Sequence, residues 1–142
     1  MNILLVDDDF DDCNFFKEAL DVLPKDTHLT TLHDGEQLMN YLFENSENLP
    51  HILFLDLNMP RKNGYECLEE IKQNEKLKDI PVVILSTSKA LDKIEMLFKK
   101  GANVYVRKPS GFSELVQVIE HALPIATENV FSKVKLKYIL NA

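Results

Sequence analysis

The fold class is decided by residues 52–60, which read ILFLDLNMP, where four apolar residues run directly into an aspartate. Equally apolar runs occupy residues 3–6 and 82–85. A strand without polar alternation must be covered on both faces, as central strands are in a parallel sheet between two layers of helices. The three runs therefore predict the three central strands of such a sheet.

Two further segments, residues 28–32 and 103–107, mix polar with apolar side chains, which is typical of edge strands. Between the five strands, apolar residues recur at the three- and four-residue steps of amphipathic helices. Because strands and helices alternate, we expect a doubly wound α/β fold with a five-stranded parallel sheet. With the mixed strands at the edges, the simplest strand order is 2-1-3-4-5, the flavodoxin-like order.

The length of 142 residues allows one domain and a short appendage. We place the domain at residues 1–123 and a C-terminal extension at residues 124–142, because Pro124 is expected to interrupt the last helix. The 16 basic and 23 acidic residues give a net charge of −7. A negative net charge is unfavourable for binding a nucleic acid or an anionic membrane surface.

The sequence shows neither a membrane span nor a secretory signal, since its purely aliphatic runs are far shorter than a bilayer requires. The two cysteines, Cys13 and Cys67, lie far apart and have no metal-type spacing. These features predict a cytoplasmic protein with two reduced thiols.

Acidic residues stand where two of the central strands end. Asp7, Asp8 and Asp9 follow the first strand, and Asp56 ends the third. Neighbouring strands lie about 4.8 Å apart, so in the expected order these carboxylates converge at the switch point where such sheets bind ligands. Crowded carboxylates favour protonation or a hard divalent cation, and the lack of a histidine or cysteine cluster favours Mg²⁺ over zinc.

The fourth strand ends at Ser86 and the fifth leads to Lys108, so a hydroxyl and an ammonium group are expected in the same crevice. Together with magnesium and the acids, these groups are suited to binding a phosphoryl group and balancing its charge. The Asp56 carboxylate could itself be the nucleophile and form an aspartyl phosphate.

Several motifs in a fixed order carry a family resemblance. They are Val6-Asp7-Asp8, LDLNMP at residues 55–60 with Gly64 after it, residues 81–86, and the segment from Gly101-Ala102 through Tyr105 to Lys108-Pro109. Over residues 2–123 the sequence resembles a response-regulator receiver domain of two-component signalling, of the CheY-like superfamily and the single-domain type. Pro60-Arg61 and residues 101–105 also resemble receivers that are paired with bacterial phytochrome-type sensor kinases.

The resemblance implies that Asp56 accepts a phosphoryl group from the phosphohistidine of a histidine kinase or phosphotransfer protein. Asp8 would bind Mg²⁺ directly and Asp7 largely through water, while Asp56 and the backbone carbonyl of Asn58 would complete the protein ligands. Lys108 would pair with the acids before phosphorylation and with a phosphate oxygen afterwards.

The same resemblance implies a switch made of Ser86 and Tyr105. The Ser86 hydroxyl would move to bond the phosphate, and Tyr105 would follow inward and link the site to the surface of the fourth helix, fifth strand and fifth helix. Static core packing is the alternative role for Tyr105. The Lys108–Pro109 bond would be cis, and the chain would be a signalling module rather than an enzyme.

Simpler roles compete for other residues. Asp9 is suited to capping the first helix, and Asp11 and Asp12 to being solvated acids of its first turn. Ser86 or Ser88 could cap the fourth helix.

Residues 132–138 alternate between lysines on one face and apolar residues on the other, which is a strand-like period. This extension pairs with a sheet edge, pairs with a second subunit in a homodimer, or is disordered. It is far too short for a DNA-binding output domain, so we expect the output to pass through a downstream protein.

Two functions of other classes are alternatives. A small Mg²⁺-dependent phosphohydrolase would use the same aspartyl intermediate but needs a second acid for proton transfer, and Leu57 and Asn58 follow Asp56 instead. A flavin-binding protein needs a hydroxyl-rich phosphate loop after the first strand, where this chain has three aspartates. The signalling receiver is therefore the preferred hypothesis.

Overall fold

The computed structural model describes residues 1–87, 90–127 and 138–140. Within these ranges strands and helices alternate along the chain, as the sequence predicts. The elements are β1 (Asn2–Val6), α1 (Phe10–Val22), β2 (His28–Leu32), α2 (Gly35–Glu44), β3 (Ile52–Asp56), α3 (Gly64–Gln73), β4 (Val82–Ser86), α4 (Leu91–Lys99), β5 (Val104–Arg107), α5 (Phe112–Thr127) and β6 (Tyr138–Leu140).

The strands form one sheet in the order β2-β1-β3-β4-β5-β6, and every neighbouring pair is parallel. The predicted order 2-1-3-4-5 is confirmed. The prediction that β5 is an edge strand is wrong, because β6 pairs with it from Val104 opposite Tyr138 to Val106 opposite Leu140. The alternating segment proposed at residues 132–138 lies outside the described residues except for Tyr138, which begins β6.

The helices cover both faces of the sheet. Alternate residues of β1 point to opposite faces, so Ile3 and Leu5 pack with α1 and α5, whereas Leu4 and Val6 pack with α2, α3 and α4. Every residue of β3 and β4 is buried, which confirms that the uninterrupted apolar runs are central strands. Among the described residues, no helix combines the length and the apolar character that crossing a bilayer requires.

Local capping sets where the helices begin. The Asp9 side chain accepts hydrogen bonds from the backbone amides of Asp11 and Asp12 and so caps α1, as predicted. Asp34 caps α2 by accepting from the amide of Gln37. The N-cap residue of helix α4 is Ala90, which makes no side-chain cap bond, and Ser88 lies outside the described residues.

Helix α5 continues through Pro124 to Thr127, and the prediction that Pro124 interrupts it is wrong. Proline removes one backbone donor, but its fixed φ is close to the helical value. Ala122 and Leu123 are fully buried against the sheet, and this packing holds the segment in the helix.

The loop that follows β3 is folded tightly against the end of the strand. The Gly64 amide donates to the Leu57 carbonyl at 2.9 Å, and a Cβ at Gly64 would lie 2.4 Å from the carbonyl oxygen of Asp56. Arg61 adopts a left-handed φ of 67°, and its guanidinium lies 3.6 Å from the buried Asp34 carboxylate. Glycine at residue 64 therefore permits the close approach that fixes the end of β3.

We expect Gly64→Ala to lower the free energy of unfolding by about 1–3 kcal/mol, because the new methyl group must displace backbone atoms. Gly111→Ala is the matched control, since its Cβ would meet the end of the flexible Glu114 side chain, and it should cost less than about 1 kcal/mol. Urea unfolding measures both values. Equal losses in the two variants would contradict the role given to Gly64.

Candidate functional site

Three predicted site residues form an acidic cluster at the carboxyl ends of β1 and β3. Asp7 and Asp8 follow β1 directly, Asp56 is the last residue of β3, and one carboxylate oxygen from each lies within 4.8 Å of the other two. Asp7 and Asp56 are only 2% and 5% exposed, whereas Asp8 is exposed. The Asp7 carboxylate is oriented by the Asp9 amide, which donates to Oδ1 at 3.0 Å. The strand ends therefore converge as the sequence predicts.

The Asp56 carboxyl group is held in an unfavourable environment for its charge. Its pKa is raised from 3.8 to about 6; burial is the main cause, the Asp7 charge adds to the rise, and the Lys108 ammonium opposes it. The Asp7 and Asp56 carboxyl groups are close enough to share a hydrogen bond, and the Asn58 amide donates to Asp56. At neutral pH Asp56 is mainly the carboxylate, which is the nucleophilic form.

Lys108 crosses the ends of the strands to reach the acids. Its Nζ lies 3.1 Å from Asp7 Oδ2 and 3.6 Å from Asp56 Oδ1. Burial lowers the Lys108 pKa, but the charges of Asp56 and Asp7 outweigh this and hold it above the ordinary value. The Lys108 amide also donates to the Ser86 carbonyl at 2.8 Å, which ties the ends of β4 and β5 together.

Asp12 is a site residue that sequence reasoning missed. Asp12 is an exposed acid in the first turn of α1, as predicted, but its Oδ2 also accepts a hydrogen bond from Lys108 Nζ at 3.2 Å. Asp12 lies one turn after the cap residue Asp9, so it stands near the same end of the sheet. The sequence therefore indicates that Asp12 lies near the site. It does not indicate the partner, Lys108, which is 96 residues away in the chain.

His33 is a second residue near the site that the sequence did not single out. Its Nδ1 lies 3.1 Å from the Asp7 carbonyl oxygen, and the exposed Phe10 ring stacks on it at a centroid distance of 4.0 Å. His33 directly follows β2, so the rule that sites gather at the carboxyl ends of strands could have found it.

The two predicted switch residues occupy different depths. Ser86 is the last residue of β4 and is 4% exposed, beside the end of β3. Tyr105 lies within β5, is 1% exposed and packs in the core between the sheet and helices α2, α3 and α4. Tyr105 is therefore not at the acidic cluster, and its ring already occupies an inward position.

The peptide bond between Lys108 and Pro109 is trans, and the prediction of a cis bond is wrong. Trans is the lower-energy isomer before proline by about 0.5–1 kcal/mol. Lys108 already reaches Asp7 with the chain in this arrangement.

The donor set suits a hard divalent cation. It consists of three carboxylates with a net excess of negative charge, two of them buried. Hard cations take oxygen ligands, whereas zinc prefers the histidine and cysteine ligands that this cluster lacks. The pKa of Asp56 is raised mainly because burial disfavours its charged form, and the Lys108 ammonium offsets only part of that effect.

In the absence of divalent metal at pH 7.5, we expect Asp56→Asn to unfold with a free energy about 1–3 kcal/mol higher than the wild type. The folded-state pKa of Asp56 lies above its ordinary value. Its contribution to stability is therefore fully present below pH 3.8 and is lost as the pH rises through about 6. The advantage of the variant should shrink as the pH falls from 7.5 towards 4.

Urea unfolding in chelator at several pH values measures this difference. Asp26→Asn, at an exposed position, is the control and should follow the wild type. A metal-free Asp56→Asn protein that is no more stable than wild type at pH 7.5 would contradict the electrostatic account of the site.

Comparison with known proteins identifies the family. Residues 3–120 match the model of the response regulator receiver domain. Response regulator Rcp1 of Synechocystis sp. is 38% identical over 123 residues, which cover 83% of each chain.

Two solved structures are similar over nearly the whole chain. The Mn²⁺-bound form of Rcp1 has a TM-score of 0.75 at 34% identity and covers 94% of this chain and 95% of that one. The phosphorylated cyanobacterial phytochrome response regulator RcpA has a TM-score of 0.80 at 34% identity and covers 91% and 95%. From its matched residues, its fold and its acidic cluster, the chain belongs to the family of response regulator receiver domains.

Proposed function

We propose that Asp56 is the phosphoryl acceptor of this two-component receiver domain and that Mg²⁺ is the metal at its acidic cluster. The observation that supports this most directly is the placement of the Asp56 carboxylate between two further acids and the Lys108 ammonium. Asp56 is the one acid of the cluster that ends a central strand, and the sheet holds it in place.

The metal would be held by Asp8, Asp56 and the backbone carbonyl of Asn58, with Asp7 acting largely through water. When bound, Mg²⁺ would neutralise charge on the phosphoryl oxygens and orient the group for transfer. Asp7 is held in place by the amide of Asp9 and so keeps its carboxylate on the cluster.

Transfer is a single displacement at phosphorus. One oxygen of the Asp56 carboxylate forms a bond to phosphorus while the bond from phosphorus to the donor histidine nitrogen breaks, and the imidazole keeps the electron pair of that bond. Lys108, which has three N–H donors, balances the added charge by bonding a phosphate oxygen.

The switch is proposed to run from the phosphoryl group through Ser86 to Tyr105. Ser86 lies one residue beyond the β4 position that pairs with Asp56, which places it beside the end of β3. Tyr105 pairs with Ile84 in the sheet, two residues before Ser86. A movement at the end of β4 therefore has a short path to the layer that contains α4.

The phosphoryl donor is a histidine kinase or a phosphotransfer protein, as for receiver domains in general. We propose a phytochrome-type kinase as the donor, because RcpA is a phytochrome response regulator and is among the most similar structures. The buried, unpaired thiols of Cys13 and Cys67 support a cytoplasmic location. The output would pass to a downstream protein through the surface of the domain, without nucleic acid or membrane.

The relatives give no support to a phosphohydrolase, since they are signalling receiver domains. The acid that such an enzyme needs beside the nucleophile is also missing, because Leu57 and Asn58 follow Asp56.

Incubation with Mg²⁺ and acetyl phosphate should add one phosphoryl group to the wild type, measured by intact mass. Asp56→Asn should add none, because its amide cannot act as the nucleophile, and the exposed control Asp26→Asn should behave as wild type. Phosphorylation of Asp56→Asn to the wild-type extent would contradict Asp56 as the acceptor. Equal phosphorylation in chelator would contradict the metal requirement.

We further propose that the extension at residues 124–142 completes the sheet of its own domain, since residues 138–140 pair with β5. Removing residues 128–142 should lower the free energy of unfolding by about 1–2 kcal/mol through the lost strand hydrogen bonds, with no change in the number of subunits measured by light scattering. A halved mass would favour the homodimer instead, and unchanged stability would contradict the structural role.

A further inference from the structure

The ammonium group of Lys108 bonds to two acids, one that follows β1 and one in α1. This is the resting arrangement, in which Asp56 carries no phosphoryl group. It donates hydrogen bonds to Asp7 Oδ2 at 3.1 Å and to Asp12 Oδ2 at 3.2 Å, whereas Asp56 Oδ1 is farther away at 3.6 Å. The proposed phosphoryl acceptor is therefore the most distant of the three carboxylates. Asp12 is not one of the three residues that form the acidic cluster.

Asp12 is attached to a rigid part of the fold. It lies in the first turn of α1, and its amide donates to the cap residue Asp9 at 3.2 Å. Helix α1 packs on the sheet through the buried Phe16 and Leu20. The Asp12 carboxylate can therefore turn about its own side-chain bonds, but its backbone cannot follow Lys108 towards Asp56.

The two partners of the ion pair line an apolar pocket. Asp12 and Lys108 line this pocket together with Leu5, Phe16 and Leu85. The Lys108 side chain is 22% exposed and that of Asp12 is 48% exposed. Nearby apolar walls reduce the screening that an ion pair receives from water.

These contacts bear on phosphorylation, and the inference rests on the function proposed above. A phosphoryl group on Asp56 brings about two negative charges to the end of β3, and Lys108 is the cation placed to meet them. A hydrogen bond that Lys108 keeps to Asp12 is one that it cannot donate to the phosphoryl group. We infer that Asp12 is a positioning residue that restrains Lys108 in the resting arrangement and so weakens binding of the phosphoryl group.

Titration of the domain with beryllofluoride, a phosphoryl analogue, at saturating Mg²⁺ tests this inference without a kinase. Asp12→Asn should bind beryllofluoride about threefold to tenfold more tightly than wild type, because one charge-assisted bond to Lys108 is removed. Asp12→Glu, which keeps the carboxylate, should restore an affinity close to wild type. Calorimetry measures the dissociation constants, and amide NMR spectra confirm that each variant is folded.

Asp11→Asn is the matched control, because it removes the same charge from the neighbouring exposed position of α1. It should change the affinity by less than about twofold, as expected for a screened surface charge. In a Lys108→Met background, Asp12→Asn should have no further effect, since Asp12 acts through the ammonium group. A purely structural role of Asp12 would still appear in that background.

The outcomes separate this inference from the proposed function. If wild type binds beryllofluoride and Asp12→Asn binds it equally or more weakly, Asp12 does not restrain Lys108 and the inference is overturned. Equal gains in Asp11→Asn and Asp12→Asn would also overturn it, because they would reflect general charge. If wild type binds no beryllofluoride while remaining folded, the proposed function fails and the inference fails with it.

Discussion

The structure depends on an imbalance of charge at the carboxyl end of its sheet. Three carboxylates, those of Asp7, Asp12 and Asp56, lie within 3.6 Å of the Lys108 ammonium group, and Asp8 joins Asp7 and Asp56 in the acidic cluster. Two of these acids are buried, so water cannot screen their repulsion fully. The site is therefore stabilised by added positive charge and responds strongly when negative charge arrives. The same imbalance favours a divalent cation at the site.

The packing of the rest of the domain supplies the free energy of folding that offsets this repulsion. The central strands β1, β3 and β4 are covered by helices on both faces, and their apolar side chains are almost completely buried. The burial of apolar area provides most of the favourable free energy of folding. Because the strands are held so firmly, their ends cannot spread apart to relieve the repulsion, and the acids stay close together.

The two helical layers are connected to the site in different ways. Lys108 is linked to the layer of α1 and α5 through its ion pair with Asp12. Tyr105 belongs to the core on the opposite face, with α2, α3 and α4. The ends of β4 and β5 lie between these layers. They are joined by the hydrogen bond from the Lys108 amide to the Ser86 carbonyl. The groups at the strand ends are therefore linked to elements on both faces of the sheet.

The sequence by itself determined the sheet and the residues at its strand ends. Uninterrupted apolar runs specify central strands, and the alternation with helices specifies parallel pairing, so the positions of Asp7, Asp56, Ser86 and Lys108 follow from topology alone. These signals are local, or depend only on the order of elements.

Only the tertiary structure decided the pairing of Lys108 with Asp12, the path of α5 through Pro124 and the place of β6 beside β5. Each depends on contacts between segments far apart in the chain. The ion pair requires a particular side-chain direction across 96 residues, and the helix survives its proline because buried neighbours hold it against the sheet. The partner of each segment is not encoded in a local pattern, because long-range packing rather than local propensity determines it.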